Sequence, residues 1–104
     1  MLVSLPLLLA VNTNSFALDK KASSALSHYI MAVMHEDLGD IDKAIEEYKK
    51  ALKTDKESVA IRLNLASSYI KKDDFPAAIE ELNSAIEIDP DAIEPRAILA
   101  LIFT

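Results

Sequence analysis

Two histidines and two pairs of adjacent glutamates are the side chains in this 104-residue sequence whose types and spacing suggest chemistry. His28 and His35 are seven residues apart, so a helix would place both on one face, where imidazole nitrogens could hold a metal ion. The pairs Glu46-Glu47 and Glu80-Glu81 have the character of paired carboxylates for general acid and base catalysis. Each interpretation competes with a structural role in the elements that carry these residues.

The acidic pairs recur at a fixed interval, which argues against catalysis. The interval from Glu46-Glu47 to Glu80-Glu81 is the same one that relates many other identical residues in this sequence. Catalytic groups have no reason to repeat with such a period, whereas a solvated helix face does. Glu46 and Lys50 also have the i,i+4 spacing of a helical ion pair. Two histidines without a convergent third ligand make a weak metal site. We therefore predict a solvent-exposed face for both acidic pairs, no metal or other cofactor, and no catalytic residue.

Composition narrows the class of protein. With 51% hydrophobic residues and a single glycine, the sequence favours helices over an all-β fold, whose turns repeatedly need glycine. The absence of cysteine excludes disulfides, thiolate zinc sites, iron–sulfur clusters and cysteine nucleophiles. A net charge of −6 repels phosphate backbones, so we expect no nucleic-acid partner. These features predict one small, soluble, all-α domain.

Residues 1–17 differ from the rest of the chain because they contain no charged side chain. An apolar stretch over residues 2–11 is followed by small residues, Ser15 and Ala17, placed as an export peptidase requires. The stretch is shorter than the roughly 20 apolar residues of a membrane span. We predict a signal peptide over residues 1–17, a short linker over 18–24, and export to the periplasm or the extracellular space. An uncleaved, outward-facing membrane anchor and a buried N-terminal strand or helix are the alternatives.

An internal repeat with a 34-residue period organises residues 25–104. Residues 25–58 align without a gap with residues 59–92, and a partial third copy occupies residues 93–104. Alanines at repeated positions leave room for close approach of helices, while larger neighbours fill the space around them. The identical pairs are Ala32/Ala66, Asp40/Asp74, Ala44/Ala78, Ile45/Ile79, Glu46/Glu80, Glu47/Glu81, Ala51/Ala85 and Asp55/Asp89.

Each complete repeat is predicted to form two helices. Gly39 supplies a left-handed residue after the first helix, and Asp73 takes the same place in the second repeat. Asp40 and Asp74 are placed as N-caps of the second helices. The predicted first helices cover residues 24–38 and 59–72, the second helices cover 41–53 and 75–87 with Pro76 in a first turn, and Asp91 and Glu94 form a capping box for the last helix.

The second helices resemble those of the tetratricopeptide repeat, in residues 39–52 and again in residues 74–90 with their closing Asp-Pro. The resemblance covers residues 25–104. It departs from the family at His28 and Arg62, where tryptophan is frequent, and at Lys56, which replaces a closing proline. The resemblance implies an α-solenoid of antiparallel helix hairpins, with two full repeats and the first helix of a third. It also implies a concave groove that binds peptides or protein surfaces without catalysis.

The resemblance assigns the groove to the first helices, whose lining is mostly apolar and suits an extended segment or an amphipathic helix. A specialised groove of the family clamps a terminal carboxylate with Lys, Asn and Arg, but the matching positions here include Tyr29, Val33 and Glu94. We therefore expect no recognition of acidic C-terminal tails. The predicted groove residues are Leu26, Tyr29, Val33, Glu36, Asp37, Leu63, Ser67, Ile70, Lys71, Glu94 and Leu101.

The third copy ends in an apolar helix. Ile98, Leu99, Ile102 and Phe103 would form an apolar face without a following helix, although solenoids generally need about three repeats and a polar cap. A longer protein or self-association through this face would account for it. We predict a non-enzymatic protein-interaction scaffold, exported or at the cell envelope. The alternative is the N-terminal repeat region of a longer protein whose downstream part carries an enzymatic domain.

Overall fold

The computed structural model describes the backbone of residues 4–104 and the side chains of residues 20–104. Residues 4–104 contain helices and no strand, which confirms the predicted all-α class. Every helix predicted within residues 25–104 is present, and apart from the start of the first helix their ends differ by one or two residues. The helices are α1 (Ser4–Asp37), α2 (Ile41–Thr54), α3 (Val59–Lys71), α4 (Phe75–Ile88) and α5 (Glu94–Ile102).

The first helix is longer than the sequence predicted. α1 begins at Ser4, well before residue 24, and includes the residues 18–24 that we expected to form a linker. No glycine or proline lies between Pro6 and Gly39, and the alanine, leucine and lysine residues of this stretch favour helix. The predicted signal peptide falls outside the described side chains and stays a prediction. Within residues 4–104, no helix combines the length and apolar character needed to cross a membrane.

Each helix packs against the next helix in the sequence, from α1 to α5. The molecule is correspondingly elongated and flat, with principal extents of 65 × 32 × 16 Å. Such nearest-neighbour packing is the defining property of a helical solenoid. The predicted architecture of stacked helix hairpins is therefore confirmed.

The turns inside both repeats have the same geometry. Gly39 has a φ of +84° and Asp73 has a φ of +62°, so both lie in the left-handed region as predicted. The amide of Asp40 donates to the carbonyl of His35 at 2.8 Å, and the amide of Asp74 donates to the carbonyl of Tyr69 at 2.8 Å. These bonds span five residues and satisfy carbonyls at the ends of α1 and α3.

The helix caps follow the sequence prediction only in part. Asp74 caps α4, because its Oδ1 accepts the amide of Ala77 at 3.3 Å. Asp40 occupies the same place before α2 but makes no side-chain capping bond. Ser58, which the sequence analysis did not single out, caps α3 by accepting the amide of Ile61 at 3.2 Å.

The predicted capping box of α5 is wrong. α5 begins at Glu94 with Ile93 at the N-cap position, so Asp91 lies outside the helix. The amide of Asp91 instead donates to Asp89 Oδ1 at 3.1 Å and closes a local turn. Pro95 in the first turn supplies the helical φ angle without needing a cap for its own nitrogen.

Two small cores hold the helices together. The alanines that are identical in the two complete repeats are fully buried, as the alternation of small and large residues predicted. Ile98, Leu99 and Ile102 of α5 pack against the second core, so the predicted free apolar face is smaller than expected. The first core comprises Ala32, Ala44, Ile45, Tyr48, Ala51, Ile61 and Leu65, and the second comprises Ala66, Ala78 and Leu82.

Candidate functional site

The first helices of the two complete repeats lie side by side. Asn64 Nδ2 on α3 donates a hydrogen bond to Tyr29 Oη on α1 at 2.6 Å. Ser68 Oγ on α3 donates to Glu36 Oε1 on α1 at 2.5 Å. These bonds join α1 and α3 directly, although α2 separates the two helices in the sequence. α1 and α3 therefore form one surface, and this surface contains most of the predicted groove residues.

A cavity of about 520 Å³ opens between α1, the α2–α3 turn and the beginning of α3. Lys21 and Asp55 lie on its wall and bring opposite charges to it. The rest of the lining is mainly apolar, and such a concave apolar surface with a few polar groups is typical of a binding site. The apolar lining residues are Ala22, Ala25, Leu26, Tyr29, Ala60 and Ile61.

Tyr29 forms a firmly held wall of this cavity. Its ring meets the ring of Tyr48 edge to face, with the centroids 5.9 Å apart and the planes at 64°. Its hydroxyl is bonded to Asn64. Burial raises the pKa of Tyr48, so that phenol stays neutral behind Tyr29. The tyrosine pair and the amide therefore fix the position of the Tyr29 side chain.

The predicted groove residues divide into different environments. Leu26 and Tyr29 lie together at the cavity, and 57% of Leu26 is exposed. Val33 packs against the first core, and Leu63 and Ile70 pack against the second, so these three mainly support the helices. The remaining residues lie closer to solvent: Asp37, Lys71, Glu94 and Leu101 are exposed, and Ser67 is half-buried.

Among the predicted groove residues, three are acidic (Glu36, Asp37 and Glu94) and one is basic (Lys71). Lys71 Nζ lies 3.1 Å from Glu36 Oε2, so Glu36 is held between Lys71 and Ser68 and is not a free groove side chain. Asp37 and Glu94 are exposed, and neither has an ion-pair partner among residues 20–104. The surface therefore offers acidic groups and no unpaired lysine from the predicted groove set.

A cation–glutamate pair recurs at the same place in both repeats. His28 Nδ1 lies 2.6 Å from Glu47 Oε2, and Arg62 Nη1 donates to Glu81 Oε2 at 2.9 Å. The members of each pair are 19 residues apart. The second pair follows the first by one repeat period of 34 residues. The recurrence of a basic residue and a glutamate at this spacing is the sequence signal from which both ion pairs could have been predicted.

The predicted solvent-exposed face is therefore wrong for half of its residues. Glu46 and Glu80 are exposed, but Glu47 is only 7% exposed and Glu81 is half-buried. Lys50 pairs with Glu47 at 3.2 Å instead of with Glu46. The hydrogen bond from His28 lowers the pKa of Glu47 below its usual 4.5, against the opposing effect of burial and with help from Lys50.

The histidines have separate environments. His28 is bonded to Glu47, and His35 lies on the same helix at the position of Tyr69 in the second repeat. Within the described part of the chain, no three acidic or histidine side chains come together as a set of metal ligands.

The comparisons with known proteins agree with this architecture. The family model described as "Tetratricopeptide repeat" matches residues 36–102. A solved structure, "Second TPR of Spaghetti (RPAP3) bound to HSP90 peptide SRMEEVD", is similar with a TM-score of 0.66 and 24% identity, over 71% of this chain and 68% of that chain. No curated protein matches the chain. The chain belongs to the tetratricopeptide repeat family.

Proposed function

We propose that this chain is a non-enzymatic interaction module that holds a segment of another protein against α1 and α3. The single observation that carries the proposal is the apolar cavity between these helices, with Leu26 exposed at its mouth and Tyr29 fixed in its wall. The similar domain of Spaghetti is bound to a peptide, which supports a peptide or protein partner for this fold.

The chemistry of the surface indicates which segment fits. An apolar side chain of the partner would enter the cavity, since most of the lining is apolar. Asp37 and Glu94 would repel an acidic tail, and Lys71 is already paired with Glu36. The partner segment is therefore apolar with neutral or basic flanks, unlike the acidic peptide SRMEEVD.

Selection of displayed random peptides on the immobilised chain tests this proposal. We expect the selected peptides to share a large apolar residue with a nearby lysine or arginine. Leu26→Asp should weaken their binding at least tenfold, whereas Leu38→Asp, an equally polar change at an exposed leucine outside the cavity lining, should leave it unchanged. The peptide SRMEEVD should not bind.

Three outcomes would contradict the groove proposal. Selection could yield no binding peptide, the selected peptides could bind the Leu26→Asp chain as well as the unchanged chain, or SRMEEVD could bind with similar affinity. Circular dichroism of both variants shows whether the helices are retained, which separates a lost contact from a lost fold.

We propose that the module acts outside the cytoplasm, because residues 1–17 have the pattern of a signal peptide. N-terminal sequencing of the native protein should find Leu18 as the first residue, in the periplasmic or secreted fraction. An uncleaved form in the membrane fraction would instead support the anchor alternative. Intact Met1 in the cytoplasmic fraction would contradict both.

The enzymatic alternative concerns the length of the native protein. If this chain is the N-terminal repeat region of a longer enzyme, an immunoblot of native cells should show a band far above 11.4 kDa. A band at or below that mass would contradict this alternative and leave the scaffold as the proposed function.

A further inference from the structure

Asp55 and Asp89 occupy the same position after the second helix of each complete repeat, but their carboxylates differ in bonding. Asp89 Oδ1 accepts a hydrogen bond from the amide of Asp91 at 3.1 Å, which closes the turn after α4. The carboxylate of Asp55 is exposed, and within residues 20–104 it accepts no hydrogen bond and forms no ion pair. The turn between α2 and α3 is therefore built without this carboxylate.

The position of Asp55 at the end of a helix makes its charge unfavourable for folding. Asp55 follows α2 directly, at the C-cap position. The last carbonyls of a helix give this end a partial negative charge, so an acidic side chain there is repelled and a cation is attracted. Asp55 and the end of α2 therefore form one negatively charged place that a cation would stabilise.

This negative charge lies on the wall of the cavity to which we assign the proposed function. Asp55 is on the wall formed by the α2–α3 turn, whereas Lys21 is on the wall formed by α1. The two side chains form no ion pair with each other. Neither residue is in the predicted groove set, which the resemblance assigns to the first helices. The cavity thus combines an apolar lining with a negative and a positive charge on different walls.

The backbone around Asp55 is fixed, which favours binding at this residue. Its amide donates to the carbonyl of Ala51 at 3.0 Å, and its carbonyl accepts the amide of Ser58 at 3.4 Å. A short side chain on a fixed backbone loses little conformational entropy on binding, whereas the long side chain of Lys21 loses more. The net charge of −6 also attracts cationic partners. A cation bound at Asp55 is therefore favoured over an anion bound at Lys21.

We propose that Asp55 determines which apolar segment the cavity accepts. Its carboxylate binds a lysine or arginine that adjoins the apolar residue of the partner, through a charge-assisted hydrogen bond. Lys21 repels basic residues on its own side, so the partner segment is basic on one side of its apolar residue and neutral on the other. This inference rests on the proposed function of the cavity and adds the residue that selects the charge of the partner.

The strongest peptide from the displayed library tests the role of Asp55, together with versions in which its lysine or arginine is replaced by glutamine or by glutamate. Fluorescence anisotropy with the full chain measures each affinity. The unchanged chain should bind the glutamine version at least fivefold more weakly, whereas the Asp55→Asn chain should bind both within twofold. Asp55→Lys should reverse the preference, so that the glutamate version binds at least fivefold more tightly than the basic one.

Asp40→Asn is the matched control, because Asp40 is exposed, makes no capping bond and lies outside the cavity lining. It should keep the fivefold difference between the basic and glutamine versions. Asp55→Asn removes a negative charge from the C-terminal end of α2, so its helical circular dichroism should be retained. The change in peptide preference is then separated from a loss of fold.

The role of Lys21 is tested by repeating the peptide selection on the Lys21→Gln chain. Peptides selected on the unchanged chain should carry basic residues on one side of the apolar residue, and those selected on Lys21→Gln should carry them on both. Basic residues on both sides in the first selection would overturn the one-sided recognition.

The outcomes separate this inference from the proposed function. If Leu26→Asp abolishes binding while Asp55→Asn keeps the preference for the basic peptide, the inference is wrong and the proposed function stands. If no peptide is selected, or if Leu26→Asp has no effect, both are wrong.

Discussion

At the scale of single residues, the feature that most affects the stability of the fold is a buried carboxylate that is hydrogen-bonded to a basic side chain. Glu47 is almost completely buried, and a carboxylate in such a place is stable only when it is hydrogen-bonded. His28 and Lys50 provide those bonds in the first repeat, and Arg62 provides one for Glu81 in the second. The recurrent glutamates therefore act as structural anchors between the two helices of a repeat.

The lowered pKa of Glu47 makes the stability of the fold depend on acidity. Because the folded-state pKa lies below 4.5, the ionised form stabilises the folded chain above that pH, and this contribution is lost as the pH falls through the folded-state pKa. We expect the free energy of unfolding, measured with urea between pH 6 and pH 3, to fall more steeply for the unchanged chain than for Glu47→Gln.

The neighbouring glutamate provides the matched control for this prediction. Glu46→Gln removes the same charge from an exposed position next to Glu47. Its pH profile should follow that of the unchanged chain. Parallel profiles for the unchanged chain and Glu47→Gln would show that the pairing with His28 does not shift this titration.

The left-handed turn residues lead to a second prediction at this scale. Asp73 occupies the position that Gly39 fills in the first repeat, and a residue with a Cβ atom is strained there. Asp73→Gly should raise the free energy of unfolding by about 0.5 kcal/mol. The strain that is relieved exceeds by this amount the additional conformational entropy that glycine loses on folding. A decrease in a urea titration would show that the Asp73 side chain stabilises this turn.

The first-repeat turn provides the reciprocal change. Gly39→Ala should lower the free energy of unfolding by about 1 kcal/mol, because alanine resists the positive φ. No atom lies within 4 Å of the added Cβ, so the cost is conformational and not steric. An unchanged urea midpoint would contradict this explanation.

At the scale of helices, the alanines at one repeated position decide how closely two helices can approach. Ala66 of α3 is completely buried in the second core, while Ala100, one period later, faces solvent. Ala66→Leu should therefore lower the free energy of unfolding by about 1–3 kcal/mol through overpacking. Ala100→Leu should change it by no more than about 0.5 kcal/mol, since the Ala100 side chain is exposed.

Urea titrations followed by circular dichroism measure both alanine variants. Equal effects of the two substitutions would mean that helix packing in the third repeat resembles that in the second. That result would contradict the exposed position of Ala100 as well as the explanation of the alanine pattern.

At the scale of the whole molecule, stability is a sum of contacts between neighbouring helices and repeats, because each helix packs mainly against the next one along the chain and hydrogen bonds also join α1 to α3. The last helix leaves Leu101 and Phe103 exposed at 76% and 72%. Because these large apolar side chains are exposed, we expect this 104-residue chain to self-associate weakly. Light scattering over a range of concentrations should show the mean mass rising above 11.4 kDa.

The double substitution Leu101→Glu and Phe103→Glu tests whether this end is responsible. It should give a monomer at every concentration, with the helical circular dichroism retained. A chain that is monomeric without the substitutions would contradict the expected self-association, and an association that the substitutions do not affect would place the contact elsewhere.

The sequence by itself determined the repeat, the helices and the left-handed turns, because these depend on local propensity and on a period that any alignment of the chain with itself reveals. Gly39 and Asp73 are the plainest examples. The side-chain partners were decided by the tertiary structure. Glu46 and Glu47 are adjacent and identical, yet only Glu47 meets a donor, because the orientation of α2 against α1 selects one face. The tertiary structure also separates the predicted groove residues, since Leu26 lines the cavity whereas Val33 packs against the first core.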